Sequence, residues 1–207
     1  MALETEYIPA AKPGETCLMI VLHGLGDSVA GYHWLPAAMG YPWLNYLLVN
    51  APDRYYTGFS WYPLDGEAGP AIDRSRKLLF ELLDQMRNKG FAAEKTMVFG
   101  FSQGCLMAIE LGARYPHVLA GIIGVSGYVH EPERLIHELS PQARQQRFLI
   151  THGTRDPLIP VESVRPQMEM MRQAGLKIDW REYVKAHTID ENSELTALRD
   201  FVRESYA

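Results

Sequence analysis

Ser102 lies between Gly100 and Gly104 in the segment MVFGFSQGCLM, where an apolar, strand-like run changes into a helix-like one. Small residues on both sides of a serine are expected where the backbone turns too tightly for side chains, and such a strand-to-helix turn exposes the hydroxyl above a sheet. The bare Gly-x-Ser-x-Gly pattern arises by chance in roughly one chain of this length in twenty. The strand-like run before it and the helix-like run after it are therefore the stronger evidence. We interpret Ser102 as a candidate nucleophile.

A serine nucleophile requires two further catalytic groups elsewhere in the chain. Its hydroxyl needs a base to take the proton and a third group to orient that base. With this type of turn, the acid and then the histidine follow the serine, each after a later strand. Asp156 follows the run RFLITHG, and His187 follows the run KIDWREYV. Each alone is more readily a turn aspartate or a surface histidine, but together with Ser102 they have the required order, and we predict a triad.

Acyl transfer also requires hydrogen-bond donors for the oxyanion that develops on the carbonyl oxygen. The serine turn itself supplies one donor, the backbone N–H of Gln103. The early run TCLMIVL ends in HGLGDS at residues 23–28, whose glycines allow backbone amides to face a ligand. We assign the second donor to Leu25, the alternative being a Gly-rich turn without a ligand.

The other histidines fit this chemistry less well. Three of them lie between the serine and the aspartate, namely His117, His130 and His137. His152 lies within or at the end of its strand. The spacing of His130, Glu131 and His137 is not that of a zinc motif and offers no third ligand. We therefore expect neither a metal nor a cofactor.

The elements that must position these residues alternate along the chain. Six short runs are rich in β-branched and apolar residues: 16–22, 45–50, 96–100, 119–126, 147–153 and 177–184. Four are nearly continuous in apolar residues, which is typical of strands covered on both faces. The pattern predicts an α/β fold with a mostly parallel central sheet flanked by helices on both faces, and in such sheets sites form at the carboxyl ends of the strands.

Helical spacing of apolar residues separates these runs. It predicts helices over 72–89, 103–115 and 191–206. A further helix runs to Gln173 and stops at Gly175, with Pro166 placed in its first turn, where a missing N–H is harmless.

Residues 51–71 form the longest irregular segment, and a loop of this length more often binds a ligand than serves as a spacer. Its aromatic side chains either line an apolar pocket or only pack the loop onto the body, and the sequence does not separate these alternatives. As pocket residues we assign Phe59, Trp61 and Tyr62 from this loop, with Leu158 and Ile159 after the aspartate.

Composition bounds the class of protein. The 207 residues are 47% hydrophobic and 22% charged, which fits one globular domain spanning 1–207. A net charge of −5 argues against a nucleic-acid partner.

We expect no export signal in MALETEYIPA and no integral membrane segment. The two cysteines, Cys17 and Cys105, have no zinc or disulfide pattern and suit a reduced compartment, so we expect a cytoplasmic protein.

Together these motifs resemble the acyl-protein thioesterase and carboxylesterase family of α/β-hydrolases, also called the phospholipase/carboxylesterase group. The matching features are HGLGDS at 23–28, NAP at 50–52 with Trp61 beyond it, GFSQG at 100–104, HGTRDPLIP at 152–160, and His187. They span nearly the whole chain. The combination is far more specific than the serine turn, because related hydrolases share that turn but lack this HGLGD loop.

The resemblance implies an α/β-hydrolase fold, the triad Ser102, Asp156 and His187, and no cofactor. It implies hydrolysis of carboxylic esters, lysophospholipids or thioesters of acylated cysteine, with Leu25 and Gln103 as oxyanion donors. One position departs from the family: Ala186 replaces the usual glycine before the histidine, which is costly if the backbone there needs a positive φ.

We expect a serine hydrolase that forms an acyl-enzyme. Its partner is a small acyl ester or thioester, with an acylated protein or a lysophospholipid as further substrates. An acyltransferase using the same acyl-enzyme and a non-catalytic acyl-binding protein are the alternatives. The sequence leaves a monomer and a homodimer open.

Overall fold

Seven strands form one sheet in the computed structural model, which describes residues 2–206. In chain order the strands are β1 (Thr5–Ile8), β2 (Cys17–Leu22), β3 (Leu44–Val49), β4 (Asp53–Tyr55), β5 (Gly58–Ser60), β6 (Thr96–Phe101), β7 (Gly121–Val125), β8 (Arg147–Gly153) and β9 (Lys177–Tyr183). The sheet has the order β1-β3-β2-β6-β7-β8-β9, while β4 and β5 pair as a separate antiparallel hairpin. Among the strands of residues 2–206 that form the large sheet, only β1 runs antiparallel to its neighbour.

Six α-helices, all within the described range 2–206, cover the sheet. They are α1 (Leu35–Met39), α2 (Ala68–Asn88), α3 (Gln103–Arg114), α4 (Pro132–His137), α5 (Val161–Gln173) and α6 (Ser193–Ser205). Among residues 2–206, no helix has the length and apolar character needed to cross a membrane.

The central strands bury side chains on both faces, as their continuous apolar sequences predict. In β2, Leu18, Ile20 and Leu22 belong to one core, and Met19 and Val21 belong to the other. Helices α2 to α5 contribute to the first core, and α1 and α6 contribute to the second. The predicted layer order, helices on both faces of a mostly parallel sheet, is confirmed.

The carboxyl ends of the parallel strands lie along the same side of the sheet, and the candidate residues directly follow these ends. Segment 23–28 follows β2, Ser102 follows β6, Asp156 follows β8 and His187 follows β9. The chain therefore gathers four distant segments at one edge.

All six predicted strands are present, but three were missed. Strand β1 is short, polar and half-exposed, so it carries no apolar run. The β4–β5 hairpin lies within residues 51–71, which we predicted to be irregular. Its strands have only three residues each, too few to show an alternating pattern.

The predicted position of Pro166 was wrong. Helix α5 begins at Val161, so Pro166 lies in its interior rather than in its first turn. Val161 and Val164 are buried on the same stripe as Met168, and this burial extends the helix upstream of the proline. Pro166 lies on the exposed side of the helix, where water satisfies the carbonyl group that the missing N–H leaves unpaired.

Candidate active site

Ser102 occupies a strained turn between the end of β6 and the start of α3. Its backbone has φ 55° and ψ −115°, and a positive φ is uncommon for a residue with a side chain. The turn is held by the Ser102 N–H, which donates to the Val125 carbonyl oxygen at 2.9 Å. The serine is thus fixed to the neighbouring strand β7 before the helix begins.

The glycines at both sides of the turn are required by close backbone approach. A Cβ on Gly100 would overlap the carbonyl group of Gly104, and a Cβ on Gly104 would overlap the carbonyl group of Leu22. Neither obstacle is a flexible side chain that could move away. The Gly-x-Ser-x-Gly pattern therefore lets α3 pack directly against β2 and β6.

The structure brings Ser102, His187 and Asp156 into one hydrogen-bonded chain. His187 Nε2 lies 2.9 Å from Ser102 Oγ, and His187 Nδ1 lies 2.7 Å from Asp156 Oδ2. A carboxylate can only accept from Nδ1–H, which leaves Nε2 to accept from the serine hydroxyl. The side chain of Asp156 is fully buried, whereas 12% of the His187 side chain is exposed.

Asp156 is held in its ionised form. Burial alone would raise its pKa, but the N–H groups of Ile159 and Leu158 and the imidazole of His187 outweigh burial and lower the pKa. Both N–H groups donate to Oδ1 at 2.9 Å, which leaves Oδ2 for the histidine. The carboxylate is therefore charged and oriented at neutral pH.

The departure at Ala186 costs no backbone strain. Within residues 2–206 the non-glycine residues with a positive φ are Tyr56, Ser102, Ser126 and Glu131, so Ala186 is not among them. The loop reaches the His187 position through an ordinary backbone conformation that alanine adopts freely.

The buried side chain of Lys185 contacts this loop, a role that the sequence did not indicate. Its Nζ donates to the Thr188 carbonyl oxygen at 2.6 Å and to Ser126 Oγ at 3.1 Å, and lies 2.7 Å from Glu194 Oε1. Burial lowers the pKa of Lys185. A lysine before a candidate histidine is normally read as a solvated side chain, so only the fold reveals the buried pair.

The two predicted oxyanion donors face the same space as the serine. Leu25 and Gln103 line one cavity together with Ser102 and His187. Gln103 is the first residue of α3, where backbone N–H groups have no partner within the helix. Within residues 2–206 no hydrogen bond is donated by the backbone N–H of Leu25. Leu25 and Gln103 therefore stay the candidate oxyanion donors.

The side chain of Gln103 has a second task that sequence reasoning missed. Its Nε2 donates to the Tyr62 carbonyl oxygen at 2.8 Å, and its Oε1 accepts from the Trp61 backbone N–H at 3.0 Å. Trp61 Nε1 in turn donates to the His23 carbonyl oxygen at 2.9 Å. The residue after the serine therefore ties loop 51–71 to the segment that carries Leu25.

His23 anchors the start of that segment as a neutral imidazole. Its Nδ1 donates to the Gly24 carbonyl oxygen at 2.6 Å, and its Nε2 accepts from the Ala51 N–H at 3.1 Å. Burial lowers the pKa of His23. Its role is structural.

The cavity beside Ser102, which we call the acyl cavity, has a volume of about 530 Å³. Tyr62, Leu158 and Ile159 line it, and so do three apolar residues that the sequence did not indicate: Leu64, Phe101 and Tyr128.

Two predicted pocket residues do not line the acyl cavity. Trp61 is fully buried, with its indole N–H bound to the His23 carbonyl oxygen. Phe59 lies in β5 beneath Arg54, and its backbone pairs with Gly26 and Asp27. Both side chains pack the hairpin onto the body, which was the alternative left open for this loop.

A second cavity of about 610 Å³ is also lined by His187. It shares Asp27, Phe101 and His187 with the acyl cavity but includes neither Ser102 nor the two oxyanion donors. Within residues 2–206 no three His, Cys, Asp or Glu side chains are grouped so as to hold a metal ion.

Comparison with known proteins gives a consistent result. The family model described as Phospholipase/Carboxylesterase matches residues 3–206. Acyl-protein thioesterase 1 of Schizosaccharomyces pombe is 31% identical over 158 residues, which is 70% of each chain. The crystal structure of esterase PE8 is 26% identical with a TM-score of 0.86, covering 99% of both chains. The Bacillus cereus carboxylesterase shares the fold with a TM-score of 0.83 at 15% identity, covering 98% of this chain and 94% of that one.

Proposed function

The chain belongs to the phospholipase/carboxylesterase family and is a serine hydrolase, and from this premise we propose that it cleaves acyl esters and thioesters through an acyl-enzyme on Ser102. The observation that carries the proposal is the continuous hydrogen-bonded chain from Ser102 Oγ through His187 to Asp156. Ser102 and His187 line the acyl cavity together with Leu25 and Gln103, whose backbone N–H groups donate no hydrogen bond within residues 2–206.

In the first step, Ser102 Oγ attacks the carbonyl carbon and gives its proton to His187 Nε2. The carbonyl oxygen becomes an oxyanion, which accepts hydrogen bonds from the backbone N–H groups of Leu25 and Gln103. Asp156 keeps the imidazole in the tautomer that can accept the proton and stabilises the imidazolium that forms. The bond to the leaving oxygen or sulfur then breaks, and that atom takes the proton from His187.

In the second step, water attacks the acyl-enzyme. His187 takes a proton from the water as its oxygen bonds to the acyl carbon, and a second oxyanion occupies the same donors. The bond to Ser102 Oγ breaks, and the serine recovers its proton from the histidine. The free acid leaves and the triad is restored.

The acyl cavity supplies an apolar environment for the chain of the acyl group. Tyr62, Leu64, Tyr128 and Leu158 present it with mostly apolar surface. Apolar cavities discriminate by only ~1–3 kcal/mol per methylene. We therefore propose that the enzyme accepts several acyl lengths.

The thiols support a reducing compartment, and we propose the cytoplasm. Cys17 and Cys105 are both free, and Cys105 is fully buried in the core. Burial raises the pKa of Cys105 to about 12, so it is an inert packing residue rather than a second nucleophile.

A panel of p-nitrophenyl esters and acyl thioesters of rising chain length, compared by kcat/KM, tests the proposal. The expected result is turnover of both bond types, with kcat/KM rising with chain length until the acyl cavity is filled. Absence of turnover on every ester and thioester would overturn it. Addition of alcohol or amine acceptors should leave the free acid as the main product, whereas a transferase would divert the acyl group to the acceptor.

A further inference from the structure

The second cavity, which His187 also lines, has no role in the scheme above. Its lining comes from two segments that flank the histidine, residues 27–38 and 187–195. The lining residues are Asp27, Gly31, Tyr32, Trp34, Ala38, Phe101, His187, Thr188, Ile189, Glu191 and Leu195. Its volume of about 610 Å³ is in the range of ligand sites.

The mechanism dictates which part of the substrate lies there. The leaving oxygen or sulfur must receive its proton from His187 Nε2, so the leaving group lies on the histidine side of the reacting carbon. Ser102, Leu25 and Gln103 line the acyl cavity and not the second cavity, whereas His187 lines both. We infer that the second cavity binds the leaving group and selects leaving groups that carry a positive charge. This inference rests on the proposed function. We call this space the leaving-group cavity.

The charges of the lining residues support the selection of positively charged leaving groups. Of its eleven residues, all within the described chain, two are carboxylates, Asp27 and Glu191, and none is lysine or arginine. Two basic side chains come from neighbouring positions. Lys185 pairs with the buried Glu194, and the Arg199 guanidinium, which donates to the carbonyl oxygen of the lining residue Ala38 at 2.7 Å, adds one positive charge at the border of the cavity. Two carboxylates against this one cation leave a net negative charge, which attracts cations and repels anions.

An aromatic surface adds a second, independent attraction. Trp34 is 41% exposed and stacks on the buried Tyr32 at 6.4 Å between ring centroids. The face of an indole ring attracts ammonium and quaternary ammonium groups. An exposed tryptophan beside two carboxylates is suited to an organic cation rather than to a neutral or anionic group.

The selection has a consequence for the class of substrate. Leaving groups with a phosphate close to the reacting oxygen or sulfur, such as those of lysophospholipids, place negative charge near Asp27 and Glu191. We expect them to be poor substrates. Alcohols or thiols with an ammonium group two or three bonds from the reacting atom are expected to be good ones.

Three thioesters with the same butyryl group test the inference. Their thiols are thiocholine, the neutral isostere 3,3-dimethylbutane-1-thiol, and the anionic 3-mercaptopropane-1-sulfonate. We would measure kcat/KM by thiol release at low ionic strength and divide it by the hydroxide-catalysed rate of each compound. The expected order is cation, neutral, anion, with the cation about five-fold or more above its neutral isostere. The ratio should fall as salt is added, because the carboxylates are solvent-accessible.

Matched variants test whether the preference for the cationic thiol arises in the leaving-group cavity. Glu191→Gln should lower the cation-to-neutral ratio about two- to five-fold, and Trp34→Leu should also lower it. Glu94→Gln makes the same change of charge at an exposed position before β6, at the opposite end of the sheet. It should leave the ratio at the wild-type value. Because the ratio compares kcat/KM for two substrates of the same variant, effects on folding or on the acyl step that both substrates share cancel.

The outcomes separate the two proposals. Hydrolysis of all three thioesters without a charge preference, or with preference for the anion, would overturn the inference and leave the proposed function standing. An unchanged ratio in both Glu191→Gln and Trp34→Leu would also overturn it. Failure of the wild-type enzyme to hydrolyse any of the three would overturn both.

Discussion

Asp156 determines which proton His187 carries, because its two oxygens have separate partners. Oδ1 accepts the N–H groups of Leu158 and Ile159, and Oδ2 accepts from His187 Nδ1. An asparagine at this position would keep its carbonyl oxygen toward the two N–H donors. Its NH₂ group would then face Nδ1 and force the imidazole into the tautomer that cannot accept the serine proton.

We predict that Asp156→Asn lowers kcat by about 10³- to 10⁴-fold with a small change in KM. Steady-state kinetics on a p-nitrophenyl ester would measure this. Asp179→Asn is the matched control, since Asp179 forms only an exposed ion pair with Arg181 on β9. A loss of less than ten-fold in Asp156→Asn would show that the carboxylate does not set the tautomer.

The candidate triad and oxyanion residues could be assigned from the sequence because each follows a strand and their chain order is restrictive. The structural role of the Gln103 side chain could not, since its partners Tyr62 and Trp61 lie 41 and 42 residues away along the chain. The role of Lys185 could not either, since Ser126 lies 59 residues away and no sequence pattern shows that the nearer Thr188 and Glu194 contact it. Phe59 and Trp61 were assigned to the pocket by residue type alone. An aromatic side chain suits a pocket and a core equally well, so only the fold separates the two.

At the scale of elements, the histidine loop depends on a buried ion pair with α6. Lys185 Nζ and Glu194 Oε1 lie 2.7 Å apart, with side chains 4% and 0% exposed. Lys185 also binds the Thr188 carbonyl oxygen, one residue after His187. Breaking a buried pair by removing one partner leaves an uncompensated charge.

Lys185→Met is therefore expected to lower the free energy of unfolding by about 3–5 kcal/mol. The double variant Lys185→Met with Glu194→Gln should recover part of the loss, because glutamine removes the unpaired charge. Glutamine also retains an oxygen for the Asp190 N–H, which Glu194 Oε2 accepts at 2.7 Å. Urea unfolding measures all three proteins. Equal stability of the single variant and the wild type would contradict this account of the loop.

Elements with long apolar runs were predictable, whereas short or polar ones were not. The five interior strands of the sheet have a clear apolar pattern, because burial on both faces demands apolar residues. The edge strand β9 instead alternates between exposed and more buried residues. The β4–β5 hairpin is held by backbone bonds to segment 23–28 and by Gln103. Such tertiary contacts produce no periodic hydrophobic pattern from which the hairpin could be predicted.

At the scale of the whole molecule, two buried neutral histidines link stability to pH. Burial lowers the pKa of His23 and of His152 below the ordinary value of 6.5. His152 Nε2 donates to the Ile159 carbonyl oxygen at 2.8 Å. In the unfolded chain both histidines take up protons near pH 6.5, whereas in the folded protein they resist protonation. Their contribution to stability is complete above pH 6.5 and is lost as the pH falls below it.

We predict that the free energy of unfolding changes little from pH 7.5 to pH 6.5 and falls steadily from pH 6.5 to pH 5. Asp156 does not contribute in this range, because its lowered pKa places its own loss of stability below about pH 4. Urea unfolding at four pH values measures the slope. His33→Gln removes a half-exposed histidine and should preserve the fall. Equal or greater stability at pH 5 would contradict the assignment of both histidines as neutral.

The central claim is that Ser102 is an activated nucleophile, and covalent labelling tests it most directly. The wild-type protein would be treated with a fluorophosphonate and analysed by intact mass and peptide mapping. The account predicts one adduct per chain, on Ser102, with labelling slowed at least 10³-fold in His187→Ala and absent in Ser102→Ala. An unlabelled wild-type protein, or an adduct that persists in Ser102→Ala, would contradict it.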